Sequence, residues 1–292
     1  MSVVTEYARP REFIALAAFL MATIAFAIDM MLHAMGQMAI DIELSEPARI
    51  SWVILGIFAG LIFGQLVFGP LSDAIGRRGS IQIGIAIFLI GTGVCALTDS
   101  FEVLIAGRVL QGFGGAATRI VTQAMVRDRF AGREMARVMS FVMTIFILVP
   151  IFAPMIGQVV LWFGNWQMLF VTLGGFSAII LGWFSLRQPE TLTHRRTITV
   201  SHLSEALRTV LTNEQSLRFT LATGVSFGGL VSYLSSAQHI FQDIYQTGEW
   251  FPVLFGSTAA SIAISSLVNA NYVRRFGMET ICRIAFAVQI LW

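Results

Sequence analysis

Asp29 lies in the apolar run Phe26-Ala27-Ile28-Asp29-Met30-Met31-Leu32-His33 and is the one carboxylate well inside any apolar segment of this sequence. Burial disfavours the charged form of a carboxylate and a nearby cation favours it, so a group held between the two can load and release a proton or a cationic solute. The alternative is a structural partner for a polar group on another helix. His33 follows by one turn, which on an uninterrupted helix puts it on the same face, and imidazole titrates near neutral pH. A satisfied polar residue near a helix end is the plainer reading of it. Arg108 and Arg119 also interrupt apolar sequence. An ionised group in hydrocarbon costs several kcal/mol unless it meets a partner or water, so Arg108 could set the proton affinity of a nearby carboxylate, or snorkel to the interface. Arg119 stands eleven residues further on, close to the same helical face. Asp73, Arg77, Arg78, Arg127 and Asp128 fall between apolar runs, where they could latch one end of a bundle or remain solvated ion pairs of little worth.

These groups need elements to hold them, and composition says which. The 292 residues are 56% hydrophobic and 12% charged, with a mean hydropathy of +0.75, which places the chain in a membrane. Spanning helices are predicted at about Phe13–Met38, Trp52–Phe68, Ile81–Leu97, Val103–Met125, Met135–Leu161 and Trp166–Leu186, then Ser216–Ile240 and Trp250–Tyr272, with a short final run Ile281–Trp292. The segment Gly69-Pro70-Leu71-Ser72-Asp73-Ala74-Ile75-Gly76-Arg77-Arg78-Gly79 is predicted as a tight loop, with Gly69 and Gly76 at its turns and Asp73 capping the next helix. All basic side chains are Arg, and nearly all loop arginines fall in the N-terminus and the even-numbered loops. The N-terminus and the Gly69–Gly79 loop are therefore expected on the cytoplasmic side. Aromatic and methionine side chains, including Phe26, Met30, Met31, Met35, Phe58, Phe63, Met143 and Phe146, could line a pliable pocket or simply face lipid and neighbouring helices. The sequence has no phosphate-binding Gly-x-x-x-x-Gly-Lys loop, no cluster of metal ligands and no catalytic constellation. No cofactor, ATP or nucleic acid is expected, nor enzymatic activity.

The pattern G-x-L-S-D-x-x-G-R-R over Gly69–Arg78 resembles the signature between the second and third helices of the major facilitator superfamily, with Ala74 where many members carry Arg. Leu104–Ala116 resembles the R-x-x-Q-G-x-G motif of its proton-coupled members, beginning at Arg108. Asp29-Met30 resembles the D-M-x-L-P stretch of the Bcr/CflA drug-resistance group, with His33 in place of Pro. Gln123 stands where that pattern usually has Arg, one turn beyond Arg119, and Arg127-Asp128 resembles its R-D pair. Val149–Gln158 is similar to the antiporter motif G-P-x-x-G-G in degraded form, Pro150, Pro154 and Gly157 allowing the helix to bend. Pro189-Glu190-Thr191-Leu192 resembles the ending of the sixth helix in this group.

The resemblance implies an all-α membrane protein of the major facilitator fold, with a complete six-helix bundle at 1–190, a cytoplasmic linker at 191–215 and an incomplete second bundle at 216–292. It implies proton-coupled efflux of drugs or other small amphipathic compounds across a bacterial inner membrane, the partners being lipid, protons and a small-molecule substrate. Arg77 and Arg78, with Gly69, Leu71, Asp73, Gly76, Arg127 and Asp128, would form the cytoplasmic gate. Transport of another solute on the same fold, or an inactive membrane fragment, is the alternative.

Overall fold

The computed structural model describes residues 10–193, 195, 208–209 and 211–276, with positions 280, 283, 284 and 287. Among these residues the regular structure is entirely helical. Backbone polar groups in hydrocarbon must be bonded within their own segment, which is why each apolar run forms a helix. The first run gives α1 (Pro10–Asp29) and α2 (Met35–Asp41). There follow α3 (Trp52–Ile75), α4 (Arg77–Leu97), α5 (Phe101–Arg129), α6 (Gly132–Phe163) and α7 (Gln167–Arg187), and then α8 (Glu214–Gln238) and α9 (Phe251–Phe276). Pro10 opens α1, where its missing amide costs nothing, and Asn213 caps α8 by accepting from the Ser216 amide at 2.9 Å.

Among the described residues, five stretches are long and apolar enough to cross a membrane: Pro10–Asp41, Ala48–Ile75, Arg77–Leu97, Gly132–Phe163 and Gln167–Arg187. The helix α5 is less apolar, and its polar groups Arg108, Gln111, Thr118 and Thr122 are buried inside the bundle. It lies between α3 and α4, while α6 packs against α1 and α9. Glycine permits the α3–α5 approach: a Cβ on Gly112 would sit 2.0 Å from the Ile57 carbonyl oxygen, and one on Gly60 would sit 2.0 Å from that of Val109. Large apolar side chains such as Leu66, Ile90, Trp162 and Ile179 are exposed on the outer faces, as a bilayer requires.

The structure departs from the sequence reading in two places that bear on function. The first helix is not continuous: α1 ends at Asp29, and the 3-10 turn Leu32–Ala34 precedes α2. Nor is Gly69–Gly79 a loop. The helix α3 runs through Pro70 to Ile75, and the chain reverses on Gly76 alone, whose φ of 106° suits a residue without a side chain. Gly69, Leu71 and Asp73 are thus helical, and Asp73 does not cap α4. Its carboxylate instead receives the Arg77 guanidinium, so the charge is neutralised inside the helical turns. In contrast to these changes, α6 stays one helix through Pro150 and Pro154. Most of the expected linker 191–215 and of the run Ile281–Trp292 lies outside the described residues.

Candidate functional site

Where α1, α3, α5, α6, α8 and α9 converge they enclose a cavity of about 190 Å³. Its wall carries Asp29 at the end of α1, Arg119 from α5, Pro150 and Phe146 from α6, Phe58 from α3, Phe227 and Tyr233 from α8, and Phe255 and Thr258 from α9. Asp29 is only 3% exposed, and no hydrogen bond or ion pair reaches its carboxylate among the described residues. Arg119 likewise has neither among them. Its guanidinium lies 5.9 Å from the centre of the Phe146 ring, in cation–π contact. Asp29 and Arg119 therefore face one apolar space without being joined to each other. On the α8–α9 side the Tyr233 and Phe255 rings stack at 6.1 Å, and the Tyr233 hydroxyl shares a 2.8 Å hydrogen bond with Thr258. Of the aromatic and methionine residues considered from sequence, Phe58 and Phe146 reach this wall, whereas Phe63 is 62% exposed on the outer surface.

The break after Asp29 sends His33 elsewhere. Instead of sharing a helical face with Asp29, it lies on an outer crevice with Gln37, Asp41, Asn165, Trp166 and Gln242, its ring 5.6 Å from that of Phe251. Behind the break, Gly157 of α6 backs onto Met30, where an added Cβ would stand 2.5 Å from the Met30 carbonyl oxygen. Pro154, one turn earlier, is buried. The wide-spaced prolines and the glycine thus fall on the α6 face that meets the interrupted first helix.

Arg108 is fully buried but lines neither the central cavity nor the outer crevice. It donates to the carbonyl oxygens of Ala27 at 2.9 Å and Val53 at 3.0 Å, and to the Gln111 side-chain oxygen at 2.6 Å. Gln111 in turn donates to the Thr92 hydroxyl at 2.8 Å, which bonds the Phe88 carbonyl at 2.7 Å. One chain of hydrogen bonds thereby ties α5 to α1, α3 and α4, and no carboxylate takes part. The R-x-x-Q spacing points to Gln111, whereas nothing in the sequence singles out Thr92.

At the Gly76 end the charged residues converge. Arg77 pairs with Asp73, donates to Asp128 at 2.8 Å and to the Ser72 hydroxyl at 2.7 Å. Arg78 donates to the Ser185 carbonyl at 2.7 Å. Arg127 stays exposed and bonds the Gln123 carbonyl of its own helix, outside this cluster. The cap of α4 is Glu190, which accepts from the amides of Arg77 at 2.9 Å and Arg78 at 3.1 Å, and from those of Thr191 and Leu192, each at 2.9 Å. A carboxylate at a helix N-terminus meets unpaired amides and the positive end of the dipole. Sequence reasoning does not assign this cap, because its partner amides lie more than a hundred residues away.

The sequence profile of the Major Facilitator Superfamily matches residues 13–292. A bicyclomycin resistance protein homologue of Haemophilus influenzae is 28% identical over 269 residues, 91% of this chain and 67% of that protein. YdgK, an MFS-type transporter of Bacillus subtilis, is 31% identical over 277 residues, 92% of this chain and 69% of its own length. The multidrug resistance protein MdtL of Escherichia coli is 26% identical over 242 residues, covering 82% of this chain and 61% of that protein. The chain thus spans about two thirds of the length of these relatives. Among solved structures, a bacterial homologue of the human lysosomal transporter Spinster, in an inward-facing and unoccupied conformation, superposes with a TM-score of 0.71 at 17% identity, over 92% of this chain and 64% of that one. The D-xylose–proton symporter superposes with a TM-score of 0.61 at 14% identity, over 89% and 68%.

Proposed function

Since this chain belongs to the Major Facilitator Superfamily, a family of membrane transporters, we propose that it serves proton-coupled export of small amphipathic compounds, with Asp29 exchanging a proton for substrate. The observation that carries this reading is Asp29 itself: a carboxylate buried in the bundle, on a cavity wall, with no protein partner among the described residues. Such a group is costly in hydrocarbon unless its charge is taken up by a proton or by a bound cation. Proton and substrate then compete for one site, which is the thermodynamic basis of antiport. Asp29, Arg119 and Tyr233 are the titratable groups on that wall. The names of the resistance-protein relatives support drugs as the solute class.

In this reading residues 1–190 form the first bundle, 191–215 the linker and 216–292 part of the second, with the Gly76 end and its arginines on the cytoplasmic side of a bacterial inner membrane. The Arg77–Asp73–Asp128 cluster and the Glu190 cap would hold that end together. Arg108 acts through the α1 backbone at Ala27, two residues before Asp29, as a positioning residue. In proteoliposomes, an imposed pH gradient should drive accumulation of a lipophilic cationic dye. Asp29→Asn should abolish the pH-driven component. Undiminished pH-driven transport by that variant would refute the role given to Asp29.

A further inference from the structure

The two arginines that interrupt the apolar sequence of α5 are in unlike states: Arg108 is fully buried and Arg119 half-buried. Arg108 is held by two backbone carbonyls and Gln111. Arg119 has the Phe146 ring beside it but no hydrogen bond or ion pair among the described residues, although a guanidinium inside a membrane costs several kcal/mol unless it meets a partner or water. It borders both the central cavity and a second space of about 620 Å³, whose linings share Arg119, Phe58, Leu61 and Phe227. Asp29 lies on the central wall only.

We propose that the central cavity takes an aromatic zwitterion, its cationic group at Asp29, its carboxylate at Arg119 and its rings against Tyr233 and Phe255. This rests on the preceding reading of the cavity as the substrate site and names the substrate class. A plain cation would satisfy Asp29 but meet the repulsion of Arg119 across an apolar space, where charges are weakly screened. A plain anion would satisfy Arg119 but leave Asp29 to be neutralised by a proton, and would be repelled by that carboxylate once ionised. A ligand carrying both charges neutralises both walls, and guanidinium binds carboxylate through paired donors. The aromatic requirement comes from the near-parallel Tyr233 and Phe255 rings, inclined by 3°, and from the edge-to-face pair Phe58 and Phe227 at 5.9 Å, which together make the wall largely aromatic.

Three probes on one aromatic ring system test this by titration calorimetry of the protein in lipid nanodiscs: an amino acid bearing both charges, its methyl ester (cation) and its N-acetyl derivative (anion). The zwitterion should bind tightest. Arg119→Gln should weaken it by about tenfold or more, the loss of a charge-assisted hydrogen bond, while leaving the ester unchanged or tighter. Arg119→Lys should restore part of the loss. Because Arg119 bonds no described protein group, these variants leave no acceptor orphaned. A zwitterion preference that survives Arg119→Gln, or an ester that binds the unaltered protein equally well, overturns the assignment. If Asp29→Asn still weakens the ester in that case, the substrate site at Asp29 stands without it. Probes indifferent to both substitutions overturn both readings.

Discussion

Removing the Arg108 side chain would leave the Ala27 and Val53 carbonyls and the Gln111 side-chain oxygen without their donor, all in the buried interior of the bundle. Arg108→Leu should therefore destabilise the bundle by on the order of 2 kcal/mol, measured as a lowered unfolding temperature in detergent. The zwitterion-to-ester binding ratio should not change, since Arg108 does not line the cavity; for Arg119→Gln the two readouts should be reversed. Hydropathy marks both arginines alike, as intramembrane cations eleven residues apart, and only Arg108 opens a motif. What separates them is the register of α5 against its neighbours, which brings carbonyls to one and an open space to the other. Asp29 was legible as a lone carboxylate in apolar sequence. Its distance from His33 was not, because the helical spacing that would pair them fails where the helix itself breaks.

The short link between α3 and α4 shows how an element is finished by a residue from elsewhere. Glu190 takes the first two amides of α4, and Gly76 leaves room for it: a Cβ there would meet the Glu190 carboxylate at 2.3 Å. Glu190→Ala should weaken the cap by about 1 kcal/mol, seen as roughly fivefold faster hydrogen exchange at the amides of 77–80 while those in the middle of α5 keep their rate. Gly76→Ala should cost more, about 1–3 kcal/mol from backbone strain alone, and should lower the unfolding temperature even in the Glu190→Ala background. Gly-Pro followed by Ser-Asp reads locally as a turn, yet α3 runs through it. The explanation is tertiary: the Ser72 hydroxyl bonds the Gly69 carbonyl, and Arg77 offsets the Asp73 charge. Local punctuation loses to contacts that only the assembled helices supply.

Across the whole molecule, the positions of the spanning helices follow from hydropathy and charge, because the bilayer imposes one solvent on every segment. How these helices pack does not follow so directly. The glycines of α5 suggest close packing, but the sequence does not say that Gly112 meets Ile57 or that Gly60 meets Val109. Those contacts, with the matching approach of Gly114 in α5 to Gly84 in α4, make α3, α4 and α5 a single slab whose backbones touch. Interlocked teeth have no slip plane, so on the transport reading proposed above, motion that exposes the cavity first to one side and then to the other would carry this slab as one rigid plate and yield where α3 meets α8. Cysteine pairs bridging α3 and α5 should accordingly cross-link at one rate whether or not ligand is present. Pairs bridging α3 and α8 should change rate when it binds.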